Sequence, residues 1–151
     1  MDELRLLKDQ SAGAPSKPPV PIKMVSSISP IHKNLPSFTV AQIDPATAAL
    51  VDYRVFNSPD LTGDSKVKWK EEYDFHKSYT LPDFSSASVG KLTAEFAADS
   101  SGTGPASQDY LNDFSAGSYA SALQVFWPQY VCSLSNHTEQ AFRTCACANT
   151  H

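Results

Sequence analysis

The sequence has little glycine, little cysteine, no long apolar run and no excess of positive charge. Its six glycines form no cluster of the kind that cradles a phosphate. No stretch approaches the roughly 20 consecutive apolar residues of a membrane-spanning helix. The opening segment MDELRLLKDQ lacks the basic-then-apolar layout of a signal peptide. Lys and Arg number 12 against 16 Asp and Glu, for a net charge of -4 and a pI near 5.4. Lys66, Lys68 and Lys70 lie beside Glu71, Glu72 and Asp74, so no basic footprint remains for nucleic acid. No internal repeat is present.

What is present is a globular chain. Hydrophobic residues make up 41% and charged residues 19%, too apolar a balance for general disorder. A length of 151 residues fits one domain, or a portion of a larger one, with a modest core.

The first half reads as strands. Residues 2–7 (DELRLL) and 20–28 (VPIKMVSSI) are β-rich, with the loop SAGAPSKPP between them. Phe38, Val40 and Gln42 alternate with Thr39, Ala41 and Ile43, and Leu50, Val51, Tyr53, Val55 and Phe56 follow. Asp44-Pro45 between these runs suits a tight turn, because the Asp side chain accepts hydrogen bonds from the turn and Pro presets φ. Residues 36–56 therefore predict an antiparallel hairpin, which needs further structure to cover its apolar face.

From about residue 64 the spacing turns helical. Trp69, Tyr73 and His76 make one stripe, and Val89, Leu92 and Phe96 make another behind serine N-cap candidates. Tyr110, Leu111 and Phe114 suggest a short helix. Leu123, Phe126, Trp127, Tyr130 and Val131 form the strongest apolar face, with Pro128 either kinking that helix or starting a new one. Thr138 is an N-cap for a last helix that carries Phe142 and Cys145 on its inner face. Strands first and helices after give an α+β fold with segregated helices.

A complete catalytic site is not expected in these residues. Asp74-Phe75-His76 has the Asp-x-His spacing of a metal site. On a helix, however, residues two apart point about 200° away from each other. Gly63-Asp64 lacks the second carboxylate of a Gly-Asp-x-x-Asp motif, since Val67 stands in its place. There is no Gly-Asn-His motif and no Gly-x-Ser-x-Gly elbow. His32 lies in a loop, His137 in a glycosylation sequon and His151 at the terminus. Cys132, Cys145 and Cys147 have no placed base, and they read as one disulfide from Cys132 to either of the other two. Asn136-His137-Thr138 makes Asn136 a candidate glycosylation site.

The order of segments carries a family resemblance. Ile28-Ser29-Pro30-Ile31-His32-Lys33-Asn34-Leu35-Pro36-Ser37-Phe38, then Ile43-Asp44-Pro45-Ala46 and Leu50-Val51-Asp52-Tyr53, resemble the post-catalytic region of acid-sphingomyelinase-like phosphodiesterases. In that family Asn-x-Pro-Gly-Phe leads into a strand, an Asp-Pro turn and a second strand. Here Ser37 replaces the usual glycine and Leu35 the common second asparagine. Trp69 to Tyr73, Tyr79-Thr80-Leu81-Pro82, Phe126-Trp127-Pro128-Gln129-Tyr130 and Cys132 to Cys147 resemble the family's tryptophan-containing helix and cysteine-bearing helical end.

The resemblance implies that residues 1–60 are the C-terminal strands of a metallophosphoesterase-like sandwich and residues 61–151 a helical subdomain. It implies a zinc-dependent two-metal parent acting on a lipid or nucleotide phosphodiester, extracellular or in a lysosome- or vacuole-like compartment. Every metal ligand of that parent would lie upstream of Met1, so none falls on this chain and no catalytic residue is assigned. The partner would be the upstream catalytic portion, and Ser29, His32 and Asn34 would approach the rim of the substrate cleft. From a different class, the competing expectation is a stand-alone secreted binding module without enzymatic activity.

Overall fold

In the computed structural model the described residues are 2–9, 17–29, 34–59, 67–116 and 120–148. Strands precede helices. Strands β1 (Glu3–Leu7) and β2 (Val20–Met24) pair antiparallel, Glu3 opposite Met24 and Leu7 opposite Val20. Strands β3 (Ser37–Ile43), β4 (Leu50–Asn57) and β5 (Lys70–Asp74) form a second antiparallel sheet in that order. Helices α1 (Phe75–Tyr79), α2 (Ser86–Ala98), α3 (Pro105–Asp113), α4 (Ser121–Val125), α5 (Trp127–Ser135) and α6 (Glu139–Ala148) follow. Among the described residues no helix is long and apolar enough to cross a membrane.

The β3–β4 hairpin turns on Asp44 as the sequence predicts. Its carboxylate accepts from the Ala46 amide at 2.8 Å and from the Thr47 hydroxyl at 2.9 Å. These bonds hold the carboxyl below its usual range. The inward residues Tyr53 and Val55 are buried with Tyr73 of β5, which stands opposite Val55. On the outward face Phe38 stacks on Phe56 at 5.2 Å and meets Trp69 edge-on at 4.9 Å, with Phe38 and Trp69 both exposed.

One continuous core joins strands to helices. Leu4 and Leu6 of β1 pack beneath α2 and α5, beside Val89, Leu92 and Phe96, the predicted inner stripe of α2. Ser85 caps that helix by accepting from the Ser88 amide at 3.2 Å. Trp127 is fully buried against Phe96 and Tyr110. Pro128 starts α5 as a separate helix instead of kinking a longer one, its missing N–H falling where no intrahelical bond is made.

The helical stripe expected from about residue 64 does not form. Residues 64–66 lie outside the described set, and Lys70–Asp74 is strand β5. Lys and Glu favour helices, but pairing with β4 completes the sheet and buries Tyr73, and this tertiary gain overrides propensity. The helix begins only at Phe75, once the Asp74 carboxylate can accept from the Lys77 amide at 3.1 Å. Trp69 consequently sits on the exposed sheet face, not in a helical core. Strand β2 also ends at Met24, short of the expected residue 28.

Candidate functional site

The densest polar chemistry lies inside the joint between the two sheets and α3. Lys23 of β2 pairs with Asp2 and donates to the Tyr73 hydroxyl at 3.1 Å. That hydroxyl donates in turn to Asp2 Oδ1 at 2.8 Å, and Ser26 Oγ approaches Oδ2 at 3.4 Å. The Lys23 ammonium also lies 4.5 Å from the centre of the Tyr53 ring. The Asp2 amide donates to Phe114 O at 2.8 Å, tying the strand start to the turn after α3. The Lys23 and Asp2 side chains are only 5% and 4% exposed.

Burial sets the protonation of this cluster. It draws the Lys23 ammonium down to about 7, against the pull of Asp113 and Glu72. It pushes the Asp113 carboxyl up to about 7, although the Tyr79 hydroxyl donates to that carboxyl at 2.8 Å. Glu72 rises to about 7 for the same reason, with Asp113 adding to the effect. The Tyr53, Tyr73 and Tyr79 hydroxyls are all held above their ordinary range, chiefly by burial.

A cleft of about 590 Å³ opens beside Lys23, lined by Val20, Pro21, Leu50, Val51 and Phe84 with Asp44 and Asp83 at its edge. Both acids already have partners. Asp44 holds the hairpin turn, and Asp83 accepts from the Ser85 amide at 3.0 Å and the Ser88 hydroxyl at 2.8 Å. The cleft therefore offers apolar walls and no unengaged charge.

The Asp74–His76 pair is not brought together as ligands. The Asp74 carboxylate caps α1 and meets Lys77 Nζ at 3.2 Å, while His76 is exposed and its amide donates to Asp52 at 3.2 Å. Among the described residues no group of three or more His, Cys, Asp and Glu is placed to hold a metal ion. His32, His151, Gly63 and Asp64 lie outside the described residues.

Of the other two rim candidates, Asn34 is buried and its amide donates to Ser27 O at 3.0 Å and Ser29 O at 3.2 Å. The Ser29 amide donates to Ser27 Oγ at 3.0 Å. Asn34 thus holds the segment leading into β3 in place.

The cysteine alternative resolves to Cys132–Cys145, with Cα atoms 5.8 Å apart, and Cys147 is exposed outside that bridge. The bridge ties α6, which buries no residue of its own, to α5. The sequon lies inside the closed loop. Asn136 Nδ2 donates to Cys132 O at 2.8 Å, His137 Nε2 lies 3.1 Å from Leu6 O, and Thr138 Oγ1 accepts from the Ala141 amide at 3.2 Å. Closing a loop of about this length is worth roughly 3 kcal/mol. Reduction, or Cys145→Ser, is expected to lower denaturant stability by about that amount. An unchanged midpoint in reductant would show that α6 docks without its bridge.

The Asp2–Lys23–Tyr73 cluster was not legible in sequence. A lysine between Ile22 and Met24 in a strand reads as a solvent-facing residue, and its partners come from positions far away in the chain. No protein-family model matches the chain, and no curated protein matches it.

Proposed function

We propose that this chain is the accessory C-terminal portion of an acid-sphingomyelinase-like, two-zinc phosphodiesterase and supplies structure rather than catalytic groups. The observation that carries the reading is the β3–β4 hairpin. The segment resembling that family's strand, Asp-Pro turn and strand forms such a unit here, turned by Asp44. The helices and the Cys132–Cys145 bridge that follow have the order the resemblance implies. A disulfide also suits an oxidising, extracellular or lysosome-like setting.

In this reading the zinc ligands belong to the upstream portion. The described residues of this chain do not form a donor set for the metals, and no catalytic step is assigned to them. The substrate would be a lipid or nucleotide phosphodiester, bound mainly by the upstream portion.

The reading is tested on the longer reading frame. It expects Gly-His-x-His immediately before Met1, with Asp-x-His and Gly-Asn-His farther upstream. The protein including that stretch should hydrolyse bis(p-nitrophenyl) phosphate, lose activity to a chelator and regain it with zinc. A stop codon with no such motifs, or chelator-sensitive turnover by the isolated chain, would overturn it.

A second reading, a secreted binding module without enzymatic activity, is favoured by the exposed Phe38 and Trp69 on the outer sheet face. It expects the isolated chain to be a soluble monomer that unfolds cooperatively. Aggregation of the isolated chain, cured by adding the upstream portion, would remove it.

A further inference from the structure

Strand β3 is an edge of its sheet, and among the described residues it pairs with β4 alone. An open edge leaves a row of backbone groups unpaired, and strands facing solvent usually guard it with charge or proline. The opposite edge is guarded in this way, since β5 carries Lys70, Glu71, Glu72 and Asp74. Strand β3 is not. Its residues, SFTVAQI, include no proline, no glycine and, unlike those of the other four strands, no charge.

The hydrogen bonds at the start of β3 show which backbone groups are open. The Ser58 amide donates to Pro36 O at 2.9 Å on the β4 side, whereas the Ser37 amide donates to Ser27 O at 3.3 Å on the other. Direction alternates along a strand, so the N–H and C=O groups of Thr39 and Ala41, and of Ile43 beyond them, face away from β4 as those of Ser37 do. Among the described residues nothing bonds to them. The side chains are bare along the same stretch. Val40 is 43% and Ile43 51% exposed, and Ala41 and Gln42 between them are exposed as well, so this end of β3 is uncovered on both faces.

We propose that residues 39–43 of β3 pair antiparallel with the same residues of a second copy of this chain, about a two-fold axis at Ala41, joining two three-stranded sheets into one. The missing partner of an open edge is another extended backbone, and this edge fits itself. Ser27 blocks the Ser37 end, and the open stretch that remains is centred on Ala41. In that register Thr39 faces Ile43 of the second copy and Val40 faces Gln42, with up to about six backbone hydrogen bonds formed. Two-fold pairing sets each residue near its own counterpart, where a charge would repel itself. A strand without charge avoids that cost.

Charge on the neighbouring strand favours the same register. Arg54 stands opposite Val40 and Asp52 opposite Gln42. A row across the joined sheets therefore runs from Arg54 through Val40 to Gln42 and Asp52 of the second copy, with opposite charges at its ends. Centring the pair on Val40 would align Arg54 with itself. The ends of the row are roughly 14 Å apart, three strand spacings, and Arg54 also meets Glu71 at 3.4 Å. The charges thus choose the register, while backbone bonds and the covering of Val40 and Ile43 supply the affinity. So small an interface is expected to dissociate in roughly the micromolar range.

The test is sedimentation velocity of the chain across that concentration range, for the parent, Ala41→Pro and Ala41→Lys. Proline removes an N–H that faces the open edge and takes no part in the β3–β4 ladder, and lysine sets two like charges together at the axis. The parent's average mass should climb from one chain toward two, and each variant should weaken dimerisation at least tenfold while keeping the parent's circular dichroism. Should Ala41→Pro fail to fold, Ala41→Lys decides. In a mixture of labelled and unlabelled chains, an NOE between Val40 Hα and Gln42 Hα of different copies would fix the register. A parent that stays monomeric, one that grows without stopping at two, a dimer indifferent to both variants, or a dimer lacking that NOE would each overturn the proposal. The test needs neither metal nor substrate, so its outcome is separate from that of the phosphodiesterase reading. A dimer would exclude the monomeric binding module.

Discussion

Replacing Trp127 with alanine is expected to cost about 3–5 kcal/mol, the range for removing a buried indole. The side chain is fully buried, with its ring centre 5.3 Å from Phe96 and 6.1 Å from both Tyr110 and Tyr130. Its Nε1 donates to Asp99 O at 2.8 Å, so the truncation would remove a hydrogen bond along with the packing. Against a total stability of about 5–15 kcal/mol for a domain, this one change would leave much of the chain unfolded at moderate temperature. Urea unfolding measures it, and a loss below about 1.5 kcal/mol would mean that the helical half repacks.

Gly102 is the companion test. It has φ +65 and lies where an added Cβ would come within 2.9 Å of the indole. Gly102→Ala should therefore be destabilising for both strain and contact, by about 1–3 kcal/mol.

Lys23→Met is the second large effect. It would leave the Asp2 carboxylate buried with the Tyr73 hydroxyl at 2.8 Å as its nearest donor and no cation. Removing one partner of a buried ion pair costs about 3–5 kcal/mol, because the survivor remains charged in a poor solvent. The double change Lys23→Met with Asp2→Asn should recover a good part of that loss, since it removes the orphaned charge as well. A cycle of the two single variants and the double variant measures the coupling. Additive single effects would show that the pair is not the unit described here.

Denaturant stability of the chain should vary with pH around neutrality. Lys23 is lowered from 10.5 to about 7 in the folded state, so its contribution is present above the unfolded value and is lost as pH falls toward 7. Glu72 and Asp113 lose theirs as pH rises toward 7. These three groups together place the minimum of their combined contribution near neutrality.

Local chemistry made some of this readable in advance. Asp44-Pro45 between two alternating runs marked the hairpin, because turn and strands each depend on neighbouring residues. Val89, Leu92 and Phe96 likewise marked the buried face of α2. The KVKWKEEYDF segment misled, because a strand buried at Tyr73 and a helix with Tyr73 in its stripe look alike over so few residues. Only the pairing with Val55 decides between them.

The buried polar cluster was hidden for a related reason. Asp2, Lys23, Tyr73 and Asp113 come from four separated segments; Asp2, Lys23 and Asp113 look like ordinary surface residues among their own neighbours, and Tyr73 reads only as part of an apolar stripe. The cysteine choice was narrowed to a bridge from Cys132. The preference for Cys145 over Cys147 depends on which turn of α6 faces α5, a matter of packing.

The Asn136-His137-Thr138 segment sets an order of events. In the folded chain Asn136 Nδ2 is held by Cys132 O, the His137 ring lies against Leu6 O, and Thr138 Oγ1 receives the Ala141 amide. The two groups that a glycosylating enzyme must reach, the Asn amide and the Thr hydroxyl, are both engaged, and the bridge from Cys132 to Cys145 closes around them. Attaching a sugar to Asn136 in the folded chain would give up its bond to Cys132 O, so attachment before the loop closes is expected to be the easier route. Occupancy at this site would record a race between two maturation steps, and slowing disulfide formation should raise it.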